Sequence, residues 1–138
     1  MSLGRVLMVD DEPDMRKSVR LVLTRAGYDV VEADDGEKAI AVLRSADADN
    51  AHAIDTIICD IYMPTMNGIE AITYFRSHFP SIPVIVLTGQ TDMHWAASLF
   101  KQGVSDYLVK PVEPDTLTAV VQKTTRERIL LKGLLKNK

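Results

Sequence analysis

Only one cysteine, Cys59, stands among the 138 residues, so no disulfide can form within the chain. That suits a reducing compartment and points to a cytoplasmic protein. Cys59 itself reads as filler inside a buried strand, the ordinary use of a free thiol. No apolar run approaches the roughly 20 residues that a membrane-spanning helix needs, so no membrane association is expected. Met1 leads almost directly into the first strand pattern, which argues against a signal peptide. A basic surplus is missing too: 16 Lys and Arg face 19 Asp and Glu, for a formal charge of −3. A nucleic-acid surface normally shows a clustered basic excess, so no direct nucleic-acid contact is expected. His52, His78 and His94 lack the spacing of a zinc site and read as surface residues. Internal repeats and low-complexity tracts are absent as well.

What remains is the composition of one ordinary globular domain, 46% apolar and 25% charged. Five short apolar runs recur: Arg5–Val9, Asp29–Glu32, Thr56–Cys59, Pro83–Leu87 and Asp106–Val109. Segments with helical spacing lie between them. Met15, Val19, Val22 and Leu23 share one face of a first helix, which Gly27 ends. Ala39, Ile40, Val42 and Leu43 mark a second, opened by Asp34 and the turn pair Asp35-Gly36. Ile69, Ile72, Phe75 and Phe79 mark a third, after Asn67-Gly68. Trp95, Ala96, Leu99 and Phe100 mark a fourth, and Leu117, Val120 and Val121 a fifth with Pro114 in its first turn. Strands alternating with helices imply right-handed βαβ units and a parallel sheet. The central runs are continuously apolar, as helices on both faces require. The fold class is therefore α/β, a doubly wound five-stranded parallel sheet with five helices.

The stretch RVLMVDDEPD poses the functional question: an apolar strand ends abruptly in the adjacent acids Asp10, Asp11 and Glu12. In an open α/β sheet, ligands bind beyond the carboxyl ends of the strands. There the first strand delivers those acids, the third Asp60, the fourth Thr88 and Gly89, and the fifth Lys110 and Pro111. Three Asp carboxylates brought together repel unless something positive lies between them. Lys110 is one candidate and a hard divalent cation the other, since Mg²⁺ favours oxygen ligands from one or two carboxylates. The plainer reading makes Asp10 to Asp14 a helix cap near a positive helix end. Asp60, Thr88 and Lys110 at the other strand ends weigh against it.

The motifs VDDEP, CDIYMPTMNG, VLTG and DYLVKP, in that order, resemble the receiver domain of two-component response regulators over residues 4–125. The resemblance implies a flavodoxin-like strand order, 2-1-3-4-5. It implies that Asp60 accepts a phosphoryl group from a histidine kinase. Asp11 and Asp60 would bind Mg²⁺ through their side chains, Tyr62 through its backbone carbonyl and Asp10 through water. Lys110 would pair with Asp60 at rest and with a phosphoryl oxygen afterwards, and its bond to Pro111 is usually cis in this family. Thr88 would turn its hydroxyl to the phosphoryl group while Tyr107 swings inward. That motion would remodel the face made by the fourth helix, fifth strand and fifth helix. Gly89 would leave the site open to water and the phosphorylated state short-lived. Glu12 belongs either to the metal's outer shell or to solvent. Asp14 reads as a helix-start residue, and Trp95 as either a partner anchor on the output face or core.

The implied partners are a sensor histidine kinase or phosphotransfer protein and an output domain or effector. A homodimer could form through that face or the last helix. Residues 126–138 form a helical extension or a linker to an output domain. Their apolar residues Ile129, Leu130, Leu131, Leu134 and Leu135 either pack the last helix on the domain or serve dimerisation. Two departures from the family stand out: a surplus near Ala46–Ala53, read as a frayed helix end plus a loop, and the bulk of Tyr62. The principal alternative is a Mg²⁺-dependent phosphatase with an aspartyl nucleophile. It is disfavoured by adjacent acids in place of D-x-D and by the lack of a cap domain. A flavin carrier would need a Ser/Thr/Gly-rich phosphate loop where DEPDM stands.

Overall fold

The computed structural model describes residues 2–47, 53–61, 63, 67–89 and 93–136. Its elements run β1 (Arg5–Val9), α1 (Pro13–Arg25), β2 (Asp29–Ala33), α2 (Gly36–Asp47), β3 (Thr56–Cys59), α3 (Gly68–His78), β4 (Val84–Thr88), α4 (Met93–Lys101), β5 (Asp106–Val109) and α5 (Pro114–Lys136). All strand pairs are parallel, in the order β2-β1-β3-β4-β5.

Alternation along β1 decides which helices go where, because successive side chains point to opposite faces. Leu7 and Val9 join Ile57, Cys59, Val84 and Val86 beneath α2, α3 and α4, which contribute Leu43, Ile72, Phe75 and Leu99. Val6 and Met8 join Ile58, Ile85 and Leu87 on the other face, against Val19 and Leu23 of α1 and Leu117 and Val121 of α5. The edge strands β2 and β5 stay partly exposed, but β1, β3 and β4 are covered on both faces and have no solvent side on which to place polar residues. Polar side chains must wait for the strand ends.

The sequence places β4 at Pro83–Leu87, but the strand is Val84–Thr88. Pro83 has no N–H for the ladder; it offers its carbonyl to the amide of Ile57 at 2.9 Å. At the far end Thr88 pairs with Val109 and accepts from the Lys110 amide at 2.7 Å, so it is the last ladder residue. Similarly β2 gains Ala33, in register with Val9. After α1, Gly27 takes φ +101°, where an L side chain would be strained. Helix α2 extends to Asp47, and most of the expected surplus loop lies outside the described residues.

Helix α5 is continuous for 23 residues and passes through Gly133 without a break. Its packing on the domain continues to Arg128. Thr124 and Thr125 are buried against Thr56, with hydroxyl separations of 3.1 and 3.2 Å, and Arg128 is buried beyond them. Ile129 and Leu130 then turn to solvent. Among the described residues, no helix is long and apolar enough to cross a membrane.

Candidate functional site

Strands β1, β3, β4 and β5 stand near one another in the sheet, so their carboxyl ends open on a common edge. Asp10 follows β1 and is fully buried; Asp60 follows β3 and is nearly so; Thr88 closes β4, also buried. Lys110 follows β5 and reaches across all of them. Its ammonium lies 2.8 Å from Asp10 Oδ2, 3.3 Å from Asp60 Oδ2 and 3.4 Å from Glu12 Oε1. The expected pairing with Asp60 is therefore shared, and the shortest contact is to Asp10. Burial pulls the Lys110 ammonium down, but the hydrogen bond and charge of Asp10, with Asp60 behind it, outweigh that and leave its pKa raised. The Lys110–Pro111 bond is cis.

The acids also gather closely around one another. Carboxylate oxygens of Asp10, Asp11, Glu12 and Asp60 can all be drawn from within 4.8 Å of one another. Asp11 and Glu12 are exposed, so the cluster has a buried half and a solvent half. Such a purely oxygen donor set fits a hard cation of the magnesium type. The helix-cap reading of these acids is not what is built. Glu12 occupies the N-cap position of α1 without a side-chain cap bond, and Pro13 and Asp14 fill the first turn. Asp10 Oδ1 instead accepts from the Glu12 amide at 2.9 Å, folding the acidic loop back on itself.

Two further contacts hold this loop and were not anticipated from sequence. Arg16 donates from Nη1 to the Asp10 carbonyl at 2.6 Å, and its Nε is tied to Glu32 at 3.1 Å. Arg20, one helical turn on, approaches the same Glu32 at 3.3 Å. The available signal was the Arg16/Arg20 pair at i, i+4 on α1, facing the acid near the end of β2.

Asp60 is fixed by backbone. Its amide donates to the Val9 carbonyl at 2.9 Å, and the Gly68 amide donates to Ile61 at 2.7 Å. A Cβ on Gly68 would stand 1.9 Å from the Asp60 carbonyl oxygen and 2.5 Å from Ile61 Cα, so only glycine fits here. Asn67 caps α3: it accepts from the Glu70 amide at 2.9 Å and donates to its carboxylate at 3.0 Å. Cys59 is fully buried, as a strand filler should be. Burial, then the charges of Asp60 and Asp10, push its thiol far up, and it stays protonated.

The remaining candidates fall as follows. Gly89 is exposed, and among the described residues a Cβ there would meet Lys110 Cδ in ordinary contact at 3.9 Å. Tyr107 is half-buried on β5, its ring 6.5 Å from that of Phe100. Asp34 and Asp35 do form the turn before α2, through an Asp34–Lys38 ion pair at 2.8 Å and a Lys38 amide bond to Asp35 at 2.8 Å. His78 is exposed, with its ring stacked on Tyr74 at 3.9 Å. Tyr62, His52 and the side chains of His94 and Trp95 lie outside the described residues.

Comparison with known proteins gives concordant results. The profile of the family described as response regulator receiver domain matches residues 6–122. The transcriptional regulatory protein GlrR of Escherichia coli (strain K12) is 36% identical over 114 residues, 83% of this chain and 24% of that protein. FixJ of Bradyrhizobium diazoefficiens is 30% identical over 124 residues, 90% of this chain and 58% of that protein. The chain thus spans between about a quarter and three-fifths of these two relatives. Among solved structures, a response regulator receiver domain protein from Clostridium thermocellum superposes with a TM-score of 0.84 at 26% identity, covering 93% of this chain and 98% of that one. The chemotaxis protein CheY4 of Vibrio cholerae gives 0.75 at 34% identity, covering 88% and 98%.

Proposed function

The chain belongs to the response regulator receiver family, and from that membership we propose that it is a phosphorylation-dependent switch whose phospho-acceptor is Asp60. The observation that carries the proposal is the convergence of three strand ends, with Asp10 and Asp60 both within 3.3 Å of the Lys110 ammonium nitrogen.

In the proposed transfer, an Asp60 carboxylate oxygen attacks the phosphorus of a phosphohistidine on a sensor kinase or phosphotransfer protein. The O–P bond forms as the P–N bond breaks, and the imidazole leaves with its electron pair. Asp11 and Asp60 would hold Mg²⁺ through their side chains, Asp10 through water and Tyr62 through its carbonyl. Glu12, held at 3.4 Å from Lys110, stays at the solvent edge. When bound, the metal supplies positive charge to the phosphoryl oxygens. Lys110 exchanges part of its hold on Asp60 for a phosphoryl oxygen, acting as a point charge. The Thr88 hydroxyl donates to another.

The new group brings about −1.5 to −2 charge units and three acceptor oxygens. Thr88 turning toward it leaves space that the Tyr107 ring fills, changing the face made by α4, β5 and α5, where an effector or output domain docks or two copies pair. Moving such a switch from 1:99 to 99:1 takes about 5.5 kcal/mol of differential stabilisation. The exposed Gly89, with no side chain of its own to shield the site, favours water reaching the acyl phosphate and so a short-lived phosphorylated state.

The enzyme alternative, a phosphatase passing through an aspartyl phosphate, is separated by stoichiometry. Incubation with acetyl phosphate and Mg²⁺, followed by intact-protein mass measurement, should show at most one phosphoryl group per chain, with acetate release after the first equivalent set by hydrolysis of that group. Rapid multiple turnover of a metabolite phosphate with no accumulated adduct would replace the switch by an enzyme.

A further inference from the structure

At the opposite edge of the sheet, before β4 and β5 begin, lies a cleft of about 140 Å³ lined by Arg76, Ser81, Gly103, Ser105, Glu127 and Arg128. It is smaller than the roughly 300 Å³ at which sites for drug-sized molecules begin. Two arginines line it, and neutral acceptors hold both guanidinium groups. Arg76 donates to the carbonyls of Gln102 at 3.2 Å, Pro80 at 3.1 Å and Ile82 at 3.3 Å. Arg128 donates from Nη1 to the Ser81 carbonyl at 3.3 Å and to the Ser81 hydroxyl.

Neither arginine has a carboxylate at ion-pair distance among the described residues, whose ion pairs use Arg16, Arg20, Lys38 and Lys110. Glu127 is the one acid of the lining and is exposed, where solvent screens it. Asp55 exerts a weaker pull on Arg128, and its Oδ2 is engaged by the Arg5 amide at 2.9 Å. Arg128 is 9% exposed, and its buried Nε has no hydrogen-bond partner. A guanidinium cannot shed its charge as a buried lysine does. Burying such a group without a counter-charge is unfavourable, and the planar fork of N–H donors is shaped to receive paired oxygens.

We propose that this cleft is a binding site for a small oxyanion, a phosphate or carboxylate group held between Arg76 and Arg128 with the Ser81 and Ser105 hydroxyls as further donors. The site is independent of the phosphotransfer reading: it stands at the other end of the strands, and Arg128 lies beyond residue 122, where the family match ends.

The test is a ¹H–¹⁵N NMR titration of the full chain with inorganic phosphate and, separately, acetate, without magnesium and at constant ionic strength set by chloride. Saturable shifts are expected at the amides of Ser81, Gly103 and Ser105 and at Arg128 Nε. Saturation by phosphate alone assigns the site to a phosphate group; saturation by acetate assigns it to carboxylates, including an acidic side chain of a partner. Arg128→Gln should weaken binding by an order of magnitude or more. Should that variant fail to fold, Ser105→Asp, which puts a carboxylate into the cleft, should abolish the shifts. Linear or absent responses to both anions, or saturable responses that survive the substitutions, would overturn the proposal.

Discussion

Replacing Lys110 by Met keeps most of the side-chain volume and removes the cation that, among the described residues, Asp10, Asp60 and Glu12 share. Asp10 is then left fully buried and Asp60 nearly so, each facing other acids. Taking one partner from a buried ion pair costs about 3–5 kcal/mol, because the remaining charge is uncompensated. The Lys110 side chain keeps 15% exposure and that of Glu12 65%, which sets the expected loss at the lower end, about 3 kcal/mol. For a chain of this length that corresponds to a fall of about 10 °C in melting temperature. Urea denaturation of parent and variant in magnesium-free buffer at neutral pH measures it directly. Saturating Mg²⁺ should then narrow the gap, since a bound cation restores part of the missing charge and stabilises only the folded form. Lys110→Met combined with Asp60→Asn should recover part of the loss without metal, by removing one repelling acid. A loss below about 0.5 kcal/mol, the range of ordinary surface substitutions, would refute the view that Lys110 compensates this pocket.

Three other outcomes follow from the same geometry. Gly68→Ala forces a methyl group onto the Asp60 carbonyl and should cost about 3 kcal/mol in denaturant titrations, the upper range of overpacking; unchanged stability would contradict the close approach. Arg16→Gln releases the Asp10 carbonyl and Glu32 and should weaken Mg²⁺ binding by calorimetry about tenfold, as loss of a contact behind metal ligands does. Cys59 keeps its proton when folded, while the unfolded thiol ionises near its ordinary value of 9.0. Stability from this group is therefore constant below that pH and declines above it. Cys59→Ala should flatten the decline, and Ellman's reagent should react with Cys59 only on unfolding.

Much of this was legible in the sequence because the physics is local. Strands buried on both faces must be continuously apolar, so β1 and β3 could be bounded from residue type alone. The polar residues that close them could be nothing but strand ends. Proline shifted β4 by one residue, since a missing N–H is a ladder defect and not a hydrophobicity signal. Arg16 escaped notice because its role depends on where α1 rests relative to β2, a tertiary matter. The Gly68 contact was hidden for the same reason: a missing side chain carries no pattern until the Asp60 carbonyl is in place beside it. Arg128 was obscured by its neighbours, since RERILLKG reads as an amphipathic tail and a buried guanidinium has no periodicity of its own.

The central claim is that Asp60, and no other acid of the cluster, takes the phosphoryl group. Treating the chain with acetyl phosphate and Mg²⁺, reducing the acyl phosphate with borohydride and sequencing the peptides by mass spectrometry tests it most directly. The account predicts a single reduced position, residue 60, absent without metal and absent in Asp60→Asn. A mark on Asp10, Asp11 or Glu12 with residue 60 intact, or none at all, would contradict it.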